Sequence, residues 1–209
     1  MTKSSTKPKG ATSFKETAFG IIPRNELLRL EIDGTKRGLE FIHKLASSDE
    51  EIIITSELIK RIHKIAFGWI FPDWAGEYRV VQVEFSGKEA IHFSKIPEMM
   101  ENLCEDLKVR IANLNFDDTD YIEKVVELVA WFQHRLVFIH PFQDYNGRIA
   151  RMLTTLILLI LKLPAIEISV SGSGRKKYLE ALYTADEGNF SKLEIIISVA
   201  LNESMKKFN

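Results

Sequence analysis

The chain has 209 residues, 45% of them hydrophobic, and its 28 Lys+Arg against 29 Asp+Glu leave a formal net charge of −1. That length and apolar content suffice for one domain with a buried core. The near-zero balance excludes the overall basic character of a general nucleic-acid binder while leaving local clusters open.

Residues 1–10 are rich in Lys, Ser and Thr and are expected to form a disordered tail. Residues 1–13 lack an apolar run, so no classical signal peptide is expected. The longest apolar stretch, residues 152–161, is broken by Thr154 and Thr155 and is too short to span a bilayer. The expectation is a soluble cytoplasmic protein. The single cysteine, Cys104, suits a reducing compartment, and beside Leu103 and Leu107 it reads as a packing residue.

Residues 11–23 form a transition, with Gly20 and Pro23 around Ile21 and Ile22. A helix is predicted over residues 25–46, interrupted or strained near Asp33-Gly34, and Ser47-Ser48-Asp49-Glu50 reads as a loop. A second helix over residues 56–67 places Leu58, Ile62 and Ile65 on one face, which leaves His63 on the helix surface. Gly68, Pro72 and Gly76 make the next segment irregular. Over residues 80–93, Val81, Val83 and Phe85 alternate with Gln82 and Glu84. Ser86-Gly87-Lys88 then offers a turn before Ile91 and Phe93, so this is a small hairpin and the one strand pair predicted.

Helical periodicity returns over residues 97–113, and Asp117 to Asp120 supply caps for a helix ending at Ile139. Ile122, Val125, Val129, Phe132, Leu136 and Ile139 recur at three and four residues and make one buried stripe. Pro141 disfavours helix at His140, which therefore sits at the exit. The helix opening near Asn146 is apolar nearly all round from Ile149 to Leu163 and must be central, with Pro164 as its stop. Two further helices, residues 174–187 and 189–206, are divided by Gly188 and capped by Asn189. The architecture is all-α, one domain with a single hairpin.

The chemistry lies in His140-Pro141-Phe142-Gln143-Asp144-Tyr145-Asn146-Gly147-Arg148-Ile149-Ala150-Arg151. A helix exit presents His140, a short loop follows, and a new helix opens with free amides that favour an anion. Arg148 and Arg151 project from nearly the same face beside those amides, a strong phosphate site. Asp144 could hold Mg²⁺ bridging phosphate oxygens, and His140 is the nearby group able to take a proton near neutral pH. Singly, an Asp at a helix start is a cap and surface arginines are solvated. Together in this order they suggest phosphoryl or nucleotidyl transfer to a hydroxyl. Phe142 reads as an apolar anchor for the loop.

The same run closely resembles the Fic family signature, HPF-x-(D/E)-G-N-G-R-x-x-R. Trp74-Ala75-Gly76-Glu77-Tyr78-Arg79 is similar to the family's W-A-G-x-x-R segment, and residues 80–93 stand where the family has a target-docking flap. Tyr178-Leu179-x-Ala181-Leu182 with Gly188-Asn189 resembles its C-terminal pattern. Gly10-Ala11-Thr12 with Gly20-Ile21-Ile22-Pro23 is similar to the branch known as mobile mystery protein B.

The resemblance implies a Fic fold over residues 11–209, a helical bundle around a central helix with one flap. It also implies transfer of AMP from ATP to a Ser, Thr or Tyr hydroxyl of a target protein. His140 would deprotonate that hydroxyl, Asp144 would bind Mg²⁺, and Asn146 and Gly147 would donate to phosphate through side chain and backbone. Arg148 would hold the β-phosphate region and Arg151 the γ-phosphate. The flap would clamp the target by strand addition, while membrane and nucleic-acid partners are not expected. The same fold with another nucleotide donor, phosphorylation or deAMPylation, and a non-catalytic interaction module, remain alternatives.

Two positions depart from the pattern. Tyr145 stands where the family has Gly; its backbone could be left-handed and strained or ordinary. Its ring could fill nucleotide space, point outward or stack on a base. No S/T-x-x-x-E-G/N inhibitory helix is found, since Pro97 and Tyr183 precede the candidate glutamates Glu101 and Glu187 by four residues. Inhibition is therefore expected from a separate antitoxin chain or a divergent element.

Overall fold

The elements, in chain order, begin with an antiparallel pair, β1 (Phe14–Thr17) and β2 (Gly20–Pro23), then helices α1 (Arg24–Ala46) and α2 (Ser56–Phe67). A second pair follows, β3 (Glu84–Phe85) and β4 (Lys88–Glu89), and then α3 (Ile96–Ala112), α4 (Tyr121–Ile139), α5 (Asn146–Ile160), α6 (Gly172–Asp186) and α7 (Ser191–Phe208). This is a computed structural model, and it describes residues 14–48, 50–85 and 87–208. The tail expected over residues 1–10 lies outside them, as does Ser86 of the flap turn. The mainly helical class predicted from periodicity is the one observed, and no helix among the described residues is long and apolar enough to cross a membrane.

Helix α5 is buried over most of its length, as its nearly continuous apolar run beyond Arg151 requires. It lies against α1, α2 and α4, and α4 in turn packs on α3, α6 and α7. The predicted α4 stripe is the buried one, with Val125, Val129, Phe132 and Leu136 fully covered. Inside this contact the Gln133 side-chain amide donates to Thr154 Oγ1 at 3.0 Å, joining α4 to α5. Helix α5 stops before Pro164 is reached: Lys162 turns left-handed (φ 60°), and Leu163 N–H bonds the Leu158 carbonyl at 2.8 Å. This is the paired-bond C-terminal stop usually built on glycine. Cys104 is buried, and burial pushes its thiol up to about 12, in keeping with a packing role.

Three expectations change. The strain near Asp33-Gly34 does not interrupt α1. Gly34 and Gly38 lie on its buried side, where a Cβ would come within 2.4 Å of the Ala66 carbonyl oxygen and 2.8 Å of Met152 Sδ respectively. The two glycines let α1 approach α2 and α5 closely, which offsets their poor helix propensity, about 1 kcal/mol each.

The transition segment contains a second strand pair, β1–β2, with Lys15 opposite Ile22. Its link lacks the usual turn dipeptides. Thr17 Oγ1 closes it instead, accepting the Phe19 N–H at 3.1 Å and donating to the Gly20 carbonyl at 2.8 Å.

The flap is shorter than its alternation predicts, pairing only Glu84 with Glu89 and Phe85 with Lys88. One further bond, Ala90 N–H to the Val83 carbonyl, extends it, and Phe93 enters a 3₁₀ turn ahead of α3. Side chains replace the missing ladder: Arg79 donates to the carbonyls of Val81 (2.9 Å) and Ile91 (2.5 Å), and Gln82 donates to that of Ala90 (2.5 Å).

Candidate active site

Helix α4 ends with His140 in a left-handed conformation (φ 52°, ψ 57°), which turns the chain into the motif loop. The imidazole Nδ1 lies 3.2 Å from the Val137 carbonyl oxygen. A carbonyl only accepts, so Nδ1 carries the hydrogen and the neutral ring presents its lone pair at Nε2. Burial, aided by the Arg79 charge, lowers the His140 pKa from 6.5 to about 4, against the Val137 bond and Asp144, which raise it. At neutral pH the ring is thus unprotonated and able to accept a proton. Phe85 of the flap stacks on it at 4.1 Å with the rings 6° from parallel.

The loop is braced from three sides. Asn146 is buried, accepting the Phe142 N–H and donating to the Phe142 carbonyl, both at 2.9 Å. Its side chain therefore holds the loop shut, and what it offers an anion is its backbone N–H. Arg79 reaches the loop from the segment before the flap. Its Nε donates to the His140 carbonyl at 2.8 Å and its backbone N–H to the Pro141 carbonyl at 2.9 Å.

The third brace is His63, which is fully buried and not on the helix surface as expected. Its Nδ1 accepts the Gly76 N–H at 2.9 Å, its Nε2 donates to the Asp144 carbonyl at 3.2 Å, and its ring stacks on Phe142 at 3.9 Å. Burial lowers its pKa to about 4. The inward face of α2 runs through Ile59, Ile62, His63, Ala66 and Phe67, not through Leu58 and Ile65.

The open questions at Tyr145 resolve geometrically. Its backbone is left-handed (φ 64°, ψ 12°), the conformation for which glycine is suited. Its ring turns inward, with the guanidinium carbon of Arg148 lying 5.1 Å over its centroid. It stacks on Phe67 at 4.0 Å, is 7% exposed, and its hydroxyl donates to Glu31 Oε1 at 2.9 Å. Burial first, then the Glu31 charge, pushes the phenol above its ordinary value.

Glu31 of α1, which the sequence reading passed over, is fully buried and collects three donors. Besides Tyr145 it accepts from Arg24 Nη1 at 3.1 Å and from Arg148 Nη2 at 2.6 Å. Its spacing from Leu27, Gly34, Gly38 and Ile42, the buried residues of α1, was the available signal.

Asp144, Gly147, Arg148 and Arg151 converge at the start of α5. Arg148 and Ile149 both donate their N–H groups to the Tyr145 carbonyl. Among the described residues, no acceptor is bonded to the amides of Asn146 and Gly147 or to the buried Nη1 of Arg148. Such donors suit an anion at a helix N-terminus. A cleft of about 480 Å³ adjoins them, lined by Arg148 and Arg151 together with Thr35, Lys36, Leu39 and His43 of α1.

Burial pushes the Asp144 carboxyl up, but Lys15, the Tyr145 N–H and Arg148 outweigh it and hold the group below its usual value, ionised at neutral pH. One such carboxylate fits a Mg²⁺ shared with phosphate oxygens. No cluster of three metal-ligating side chains exists among the described residues, so an all-protein cage does not. Lys15 Nζ stands 2.5 Å from Asp144 Oδ2.

A mainly helical domain whose central helix opens on this His-to-Arg loop has the architecture of a Fic fold. Residues 53–158 match the Fic/DOC family, and the chain is a member of it. A protein adenylyltransferase Fic from Nematostella vectensis is 29% identical over 174 residues, which cover 83% of this chain and 38% of that protein. Protein adenylyltransferase fic-1 from Caenorhabditis elegans is 31% identical over 159 residues, 76% of this chain and 29% of the relative. The chain thus spans less than two fifths of the length of these curated relatives. The solved structure of the VirB-translocated effector BepC from Bartonella tribocorum, with bound AMPPNP, superposes with a TM-score of 0.68 at 20% identity. It covers 96% of this chain and 94% of that one, a likeness of fold.

Proposed function

We propose that the chain transfers AMP from ATP to a hydroxyl of a target protein. The observation that carries this reading is the His140 imidazole, held by Val137 with its Nε2 lone pair free, one loop away from the unpartnered donors at the start of α5. His140 Nε2 takes the proton of the target hydroxyl, whose oxygen attacks the α-phosphorus while the bond to pyrophosphate breaks. The amides of Asn146 and Gly147, Arg148 and Arg151 receive the negative charge of the phosphate chain. Catalysis of this kind is mostly positioning and charge stabilisation. Mg²⁺, when held by Asp144 with the phosphates, supplies further charge neutralisation.

The flap is the proposed docking edge for an extended segment of the target. Its short ladder leaves Val80 and Val81 exposed (76% and 50%), and the Phe85–His140 stack ties its position to the base. A separate inhibitor chain remains part of the proposal, since the sequence offers no inhibitory motif of the usual pattern. The inward Tyr145 ring argues against a pocket plugged by that residue, and so favours the enzyme over an interaction module.

The test is incubation of the chain with α-phosphate-labelled ATP, Mg²⁺ and a bacterial lysate. Label is expected on protein with wild type and lost with His140→Ala. Label that persists in the variant contradicts the role given to His140.

A further inference from the structure

Lys15 lies outside the motif and outside the part of the chain that matches the family, residues 53–158. Its ammonium nevertheless stands 2.5 Å from Asp144 Oδ2, across 129 positions of sequence. The hairpin that carries it is anchored. Ala18 N–H bonds the Ile70 carbonyl at 2.9 Å, Phe19 meets Trp69 edge-on at 5.8 Å, and β2 runs directly into α1. The ammonium also lies 5.7 Å from the Tyr145 ring centroid and 5.9 Å from that of Phe71, aromatic faces that favour a cation. The other carboxylate oxygen of Asp144 accepts the Tyr145 N–H at 2.7 Å. Both oxygens are therefore engaged, one of them by a cation belonging to the chain itself.

Resting on the adenylyl-transfer reading for its metal, we infer that Lys15 is the resident cation of Asp144, and that a divalent ion reaches this carboxylate only by displacing it. An ammonium and a divalent cation on one carboxylate oxygen repel each other at contact distance, an effect that the part-exposure of the pair reduces and does not abolish. The β1–β2 hairpin thereby sets how readily the site takes up metal. With Lys15 seated, divalent affinity is low; with Lys15 withdrawn, Asp144 is open. The signature run supplies Asp144, and this hairpin supplies its competitor.

The test is Mn²⁺ binding to the full chain followed by electron paramagnetic resonance, with and without AMPPNP. The proteins compared are wild type, Lys15→Met, Lys15→Arg, and Lys15→Met combined with Asp144→Asn. Lys15→Met should bind Mn²⁺ about fivefold more tightly than wild type, through removal of one competing charge from a partly solvated pair. The double variant should lose that gain, and Lys15→Arg, which keeps the charge, should stay at the wild-type level. Equal Mn²⁺ affinity in wild type and Lys15→Met, or a gain in Lys15→Arg as large as in Lys15→Met, overturns the inference. Calorimetry with AMPPNP on the same proteins separates the two readings. Absent nucleotide binding beside a Lys15→Met gain in Mn²⁺ affinity contradicts the transfer reading and supports the competition at Asp144.

Discussion

Tyr145→Gly restores the residue typical of the signature and should nevertheless destabilise the protein severely. The substitution removes a ring stacked at 4.0 Å on Phe67 within an aromatic cluster that includes Phe71 and Trp74. Deleting a buried aromatic side chain costs about 3–5 kcal/mol. Loss of the hydroxyl bond to the buried Glu31 carboxylate adds about 1.5–3 kcal/mol. Relief of the left-handed backbone returns about 1–3 kcal/mol, of which the greater freedom of glycine in the unfolded chain takes back up to about 1. The net is a destabilisation of about 5 kcal/mol, which in a chain of this length lowers the melting temperature by roughly 10–20 °C. Urea unfolding followed by fluorescence of the three tryptophans reads it directly, and Tyr145→Phe should lose only the hydroxyl part. A Tyr145→Gly protein as stable as wild type would refute the assignment of this ring to the core.

Buried His63 and half-buried His140 both have pKa values lowered to about 4, so above pH 6.5 neither affects stability. As pH falls from 6.5 towards 4 the unfolded chain takes up the protons first, and each histidine removes about 3 kcal/mol of stability. His63→Phe should lower the slope of stability against pH in that window by about one proton; an unchanged slope contradicts its burial as a neutral ring. Arg79→Lys removes the fork joining His140 to Val81 and Ile91, so amide exchange should accelerate across residues 80–91 while α4 and α5 stay protected. Equal protection in both proteins would show that the ladder alone holds the flap. Glu31→Gln keeps the side-chain shape but removes the charge facing Arg148, and AMPPNP affinity should rise about tenfold, worth about 1.4 kcal/mol. Affinity that stays constant would place Arg148 away from the nucleotide.

The parts of the site that were legible are those contiguous in sequence. His140, Asp144, Gly147, Arg148 and Arg151 meet because one loop and one helix start carry them all. The α4 stripe was plain by its period, and α5 by its nearly continuous apolar run beyond Arg151. Groups that join the site from a distance were hidden.

Lys15 reaches Asp144 from a hairpin without turn dipeptides, and Glu31 is a charged residue two of whose three donors come from more than a hundred positions away. His63 was placed on the wrong face because Leu58 and Ile65 outweighed Ala66 in apolarity, although Ala66 is the buried one. Gly34 suggested a break because propensity counts its cost and not the close helix approach it permits. At Tyr145 the strain was foreseeable from the motif, while the inward ring required knowledge of Glu31 and Phe67.

The most direct test of the account is donor labelling, with ATP carrying label at the α-phosphate or at the γ-phosphate, on wild type and His140→Ala in parallel. The account predicts protein-bound label from the α-phosphate alone, in wild type alone. Label from the γ-phosphate would mean phosphorylation, and α-label undiminished in His140→Ala would remove the imidazole from the chemistry.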